Sequence, residues 1–182
     1  MQRLATMITI GLGLVACSNA QTVPASETYS VLLQDDGQTW CAYKNPAEFQ
    51  TEAAKLKPME TARITYSSNK VSELTHQVEA ESGDWVVVDK YTPTESGATL
   101  RRANLLAQEN LQVIQETIIR GDKAESFRVV SVNTLDGKKA DLPPNVDFPE
   151  VSVKTNFLIA PFAQVVSEMR KRSLAKLCKK ID

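Results

Sequence analysis

Histidine is almost absent from this 182-residue chain: there is one, His76. A transition-metal centre built on imidazoles therefore lacks its ligands, and no Cys-x-x-Cys pair or Asp-x-Asp-x-Asp-Gly loop takes their place. Glycine is scarce too. Its 7 residues form neither Gly-x-Gly-x-x-Gly nor a P-loop, so the phosphate cradles of the usual nucleotide folds are missing. No Gly-x-Ser-x-Gly elbow supplies an activated serine. Lysine and arginine total 21 against 22 acids, a near balance that carries no global nucleic-acid signature. No cofactor, no metal and no nucleic-acid partner is expected.

Long apolar runs are missing as well, except at the start. Met1-Gln2-Arg3 brings one positive charge, and Leu4 to Val15 is apolar apart from Thr6, Thr9, Gly11 and Gly13. A helix of that length rises only about 18 Å against about 30 Å of hydrocarbon, which suits a secretory signal rather than a permanent anchor. Leu14-Val15-Ala16-Cys17 comes next and resembles the lipobox of bacterial lipoproteins at all four positions. The resemblance covers only this signal. It implies cleavage before Cys17, a diacylglycerol on its thiol and, with Ser18 where a retained inner-membrane lipoprotein usually carries Asp, an outer-membrane destination. The competing reading is ordinary cleavage after Ser18-Asn19-Ala20, which would release a soluble periplasmic protein.

Either cleavage leaves Cys41 and Cys178 as the remaining pair. In an exported chain two cysteines read as one disulfide, and without a Cys-x-x-Cys motif the pair reads as a staple rather than a redox couple. Losing Arg3 with the signal takes the net charge from −1 to −2.

The mature chain divides into a tether and one domain. Residues 17–28 are built from Ser, Asn, Ala, Gln, Thr and Pro without periodicity, the composition of a flexible linker. From 29 to 182 the pattern is that of an α+β domain. Tyr29–Leu33 and Gln38–Tyr43 read as strands around an Asp-Gly turn. Asn45 is placed to cap a helix over 46–56, with Pro46 at its first position, Phe49, Ala53 and Leu56 on one face, and Pro58 as its stop. Period-two alternation then dominates from Thr61 to about Asp136, and Leu74, His76, Val78 and Ala80 against intervening polar residues make its cleanest strand. Residues 98–119 admit two readings. Leu100, Ala103, Ala107, Leu111, Ile114 and Ile118 form a helical stripe, whereas turn residues at Thr94–Gly97, Ala107–Asn110 and Gly121–Ala124 cut the region into a β-meander. An edge strand is expected over Val151–Leu158, and a last helix from Pro161 to about Lys179, with Phe162, Val165, Val166, Met169, Ser173 and Leu177 inward and Cys178 at its end.

Candidate chemistry is thin. His76 stands on an apolar strand face with no nucleophile assigned to it, the pattern of a histidine hydrogen-bonded in or beside a sheet. Glu73, Glu79, Glu81, Asp84 and Asp89 could in principle pair as in a cell-wall hydrolase, but alternation on a polar strand face is what solvation alone requires. No catalytic residue is assigned. The one uneven charge feature is C-terminal: Arg170, Lys171, Arg172, Lys176, Lys179 and Lys180 against Glu168 and Asp182. Such a face is either simply solvated or attracted to an anionic surface. The expectation is a non-enzymatic envelope lipoprotein, held by its lipid at the periplasmic face of the outer membrane, that presents a binding surface to an envelope protein or anionic lipid. The alternative is a carrier of an apolar ligand such as lipid, walled by a curved sheet and two helices.

Overall fold

The computed structural model describes residues 26–121, 123–148 and 157–181. The expected signal, Cys17, most of the expected tether and the expected strand up to residue 156 lie outside the described residues. Among the described residues nine antiparallel strands form one open sheet, in the order β8-β7-β6-β5-β4-β3-β1-β2-β9, with two helices packed on it. Strand content dominates the α+β architecture.

β1 (Ser26–Leu33) and β2 (Thr39–Tyr43) are the expected hairpin, pairing Leu33 with Trp40 and Ser30 with Tyr43. β1 starts three residues before the tether was expected to end, because Ser26, Glu27 and Thr28 pair with Ser67, Tyr66 and Thr65. Asp36 fixes the turn by accepting from the Gln38 and Thr39 amides and the Thr39 hydroxyl. α1 (Pro46–Leu56) matches its expected bounds, with the Asn45 side chain accepting from the Ala47 amide and Lys57 closing the helix in the left-handed region. It crosses over β1 to reach β3 (Glu60–Ser67), which pairs with the other edge of β1.

From β3 the chain meanders through β4 (Lys70–Glu79), β5 (Trp85–Pro93), β6 (Gly97–Leu106), β7 (Leu111–Arg120) and β8 (Lys123–Thr134). The helical reading of 98–119 is thus overturned: its stripe of apolar residues is split between the two faces of two strands. Gly97 is needed for close approach rather than for turn freedom, since a Cβ there would lie 2.0 Å from the Ile119 carbonyl oxygen on β7.

Residues 157–159 form a single 3-10 turn, so the expected edge strand does not extend to Leu158. α2 (Pro161–Lys171) buries Phe162, Val165, Val166 and Met169 as expected. It stops eight residues short of its expected end. Ser173 adopts a left-handed conformation (φ 52°), its amide bonds the Arg170 carbonyl, and the Leu174 amide bonds that of Met169. That is the double hydrogen bond of a Schellman stop, made with serine in the place glycine usually takes. The chain then runs straight into β9 (Lys176–Lys180), which pairs with β2.

Alternation sorts the core onto both faces. Tyr29, Val31, Trp40, Ala42, Ala62, Ile64, Leu74, Tyr91 and Leu100 lie under α2 and Phe157. Leu32, Cys41 and Tyr43 face the other way, under Phe49, Ala53 and Leu56 of α1. The two helices therefore cover opposite faces of the same half of the sheet, α2 over β9, β2, β1 and β3 and α1 over β1 and β2, and among the described residues the β8 end has no helix.

Candidate binding surfaces

Cys41 and Cys178 sit directly opposite each other on β2 and β9 and are disulfide-bonded. The bridge therefore joins strand to strand, not strand to helix end. It ties the last strand to the sheet across 137 residues of chain. Both sulfurs belong to the α1 side, and Cys41 is fully buried beneath that helix.

The six C-terminal cations do not share one face, because only two of them are helical. Arg170 and Lys171 close α2 and Arg172 caps it, while Lys176, Lys179 and Lys180 lie on β9. On a strand they alternate. Lys176 and Lys180 lie on the α1 side, the former over the Tyr43 ring at 4.8 Å and 3.5 Å from Glu48. Lys179 turns to the α2 side and donates to Glu168 at 2.8 Å. That hydrogen bond and charge, with Arg172 alongside, hold the Glu168 carboxyl below the usual range. Three lysines on a short edge strand are also a standard guard against edge-to-edge pairing.

Arg170 is placed differently. Its guanidinium lies 3.7 Å from the centre of the Tyr66 ring, donates to the Asn69 side-chain Oδ1 at 3.0 Å and brings its Nε to 3.5 Å from Glu27. Glu27 also accepts from Lys44 and from the Tyr29 hydroxyl, each at 3.1 Å, and these bonds lower its pKa. Glu27, Lys44, Arg170 and Lys171 share the wall of an open cavity of about 560 Å³ where β1 begins. A larger groove of about 850 Å³ lies on the α1 side, between Phe49, Ala53 and Met59 and a polar floor that includes Arg63, Thr75 and Gln77.

His76 is 4 % exposed, bonded to the Glu60 carboxylate at 3.1 Å and stacked on Phe162 at 4.9 Å, a satisfied core position. Among the carboxylates, Glu73 pairs with Lys90 on the wet side. Asp89 does not belong with it. Asp89 is fully buried and held bidentately by Arg102, at 2.7 Å and 2.6 Å. The register forms one row across the sheet, Ala62, His76, Asp89, Arg102 and Gln115, so a polar band crosses the α2 side. Sequence reading missed it, although Asp89 shares its strand parity with the buried Val87 and Tyr91.

β8 offers the barest surface. Its first eight residues are exposed, with Phe127 at 64 % and Val129 at 45 %, both on the α2 side. Val130 lies in a bulge between them and Ser131, and Ile118 on β7 is exposed on the opposite face. Among the described residues the outer edge of β8 is paired only near its end, where Lys139 bridges Asn133 and the Ala140 amide donates to Val132.

Among the described residues no cluster of three His, Cys, Asp or Glu side chains could hold a metal, and no helix is long and apolar enough to cross a membrane. The chain matches no family model, no curated protein and no solved structure.

Proposed function

We propose that this chain is a non-enzymatic, lipid-anchored envelope protein whose domain binds an extended segment of another envelope protein along β8. The observation that carries this reading is the contrast between the two halves of the sheet. One half has helices on both faces and an edge stapled by a disulfide and guarded by lysines. The other half ends in a twelve-residue edge strand that leaves Phe127, Val129 and Val130 in water. Lys123, Glu125, Arg128 and two bulges guard β8 in part, but its exposed Phe127, Val129 and Val130 favour a partner, and adding a strand is how sheet edges commonly bind peptides. The placement suits a tether, because β1 lies six strands from β8, about 29 Å measured along the sheet. The carrier reading loses support, since helices on opposite faces do not wall one cavity.

Replacing Phe127 with a photo-crosslinking amino acid in intact cells tests this. One discrete adduct is expected from position 127 and none from the same group at Thr51, exposed on α1. No adduct, or the same adducts from both positions, would overturn the reading. A lipid that stays bound at one-to-one stoichiometry in native mass spectrometry would overturn it in favour of the carrier.

A further inference from the structure

We infer that the end of the domain where β1 begins is a docking surface for an anionic phospholipid bilayer, so that the lipid anchor and a cation cluster hold the molecule in one orientation. The inference rests on the lipoprotein reading for its anchor. It uses neither β8 nor any protein partner.

The topology brings four segments to this corner. β1 starts at Ser26, β2 ends beside it at Tyr43 and hands over to Lys44, and the β3–β4 turn reaches it through the pairing of Ser26 with Ser67. The last turn of α2 completes it. These segments, with the start of β9 opposite Tyr43 and the start of α1, carry Lys44, Lys70, Arg170, Lys171, Arg172 and Lys176, and the acids among them are Glu27, Glu48 and Glu168. Cations therefore prevail, and Lys70 and Lys171 are exposed with no ion pair among the described residues. Arg170 is fixed in place by Tyr66 and Asn69, and with Lys44 and Lys171 it lines the open cavity of about 560 Å³. The turns at the opposite end of the strands bear Asp35, Asp36, Glu81, Asp84, Glu109 and Asp136 against Lys57, Lys138 and Lys139, so acids prevail there. Opposite ends of opposite sign orient a molecule in the field of a charged surface.

Chain length supports the same corner. Nine residue-to-residue steps lead from Cys17 to Ser26. Fully extended they reach about 30 Å, and as a flexible coil about 17 Å. A lipid on Cys17 thus keeps this corner within a few Debye lengths of the headgroups, a Debye length being about 8 Å at physiological salt. Phosphates of anionic lipid are the charge such a cluster meets there, and each cation held near such a surface strengthens binding about fivefold.

The experiment uses the mature chain carrying Cys17→Ser, which removes the lipid and leaves the domain untouched, and vesicles of phosphatidylcholine with or without phosphatidylglycerol. Cosedimentation is expected only with phosphatidylglycerol, and should fade as salt rises. Lys70→Gln with Lys171→Gln should weaken it at least tenfold, whereas Lys138→Gln with Lys139→Gln, an equal charge loss at the acidic end, should leave it within twofold. Equal loss in both double variants would show unoriented charge attraction and overturn the inference. So would binding to pure phosphatidylcholine or to neither vesicle. Failure here leaves the β8 crosslink standing, and failure of that crosslink leaves this surface standing.

Discussion

Asp89 carries a full charge into the interior of the sheet and tolerates it because Arg102 meets both of its oxygens. Breaking one side of such a pair strands the other charge, at a cost of about 3–5 kcal/mol, whereas replacing both by apolar groups is often close to neutral. Arg102→Met is expected to lose about that much in urea unfolding, and Asp89→Leu with Arg102→Met to recover most of it; a double variant worse than the single would refute the assignment. The pair was missed in the sequence, where Asp89 reads as a solvated strand-face acid; its partner stands thirteen residues away on β6, and only the register joins them. Asp36 sets a different residue-scale expectation. Bonds from the Thr39 hydroxyl and the Gln38 and Thr39 amides lower its pKa from 3.8 to about 2. A depressed carboxyl stabilises the fold above its unfolded pKa and loses that contribution as pH falls through the folded value. Asp36→Asn should therefore lower the melting temperature near neutrality and flatten its decline between about pH 4 and pH 2. An unchanged acid limb would deny the turn its role.

At the scale of elements, local chemistry was legible wherever it was decisive. The Asn45-Pro46 start and Pro58 stop defined α1 to the residue, and turn residues at Gly97, Ala107–Asn110 and Gly121 outweighed a helical stripe in the meander. The C-terminus was misread because its stop has no glycine or proline. Serine in the left-handed region ends α2, and residues 176–180 become strand through pairing with β2 and the covalent bond to Cys41, neither visible in local propensity. The bridge itself was legible from the cysteine count. Closing a loop of 137 residues contributes about 5 kcal/mol in the chain-entropy model. With Cys41 and Cys178 both changed to Ala, unfolding free energy should fall by several kcal/mol. Hydrogen exchange should also show the β9 amides losing protection while β4 to β6 keep theirs. Undiminished protection of β9 would mean that its pairing needs no staple.

For the whole molecule, the same asymmetry underlies both proposals. Helices, disulfide and tether entry gather on one half of the sheet, the apolar edge lies at the other, and the strand axis runs from a basic end to an acidic one. None of this was legible along the chain, because charges that are scattered in sequence come together only once nine strands are ordered. The proposed anchor is the opposite case: Leu14-Val15-Ala16-Cys17 is a purely local pattern that resembles a lipobox, and the proposed orientation depends on it. The most direct measurement is the intact mass of the protein extracted from the envelope of the cell that makes it. A species running from Cys17 to Asp182 with the added mass of a diacylglycerol, absent when Cys17→Ser is expressed, is the expected result. An unmodified chain beginning at Gln21 would contradict the anchor and, with it, the orientation drawn here.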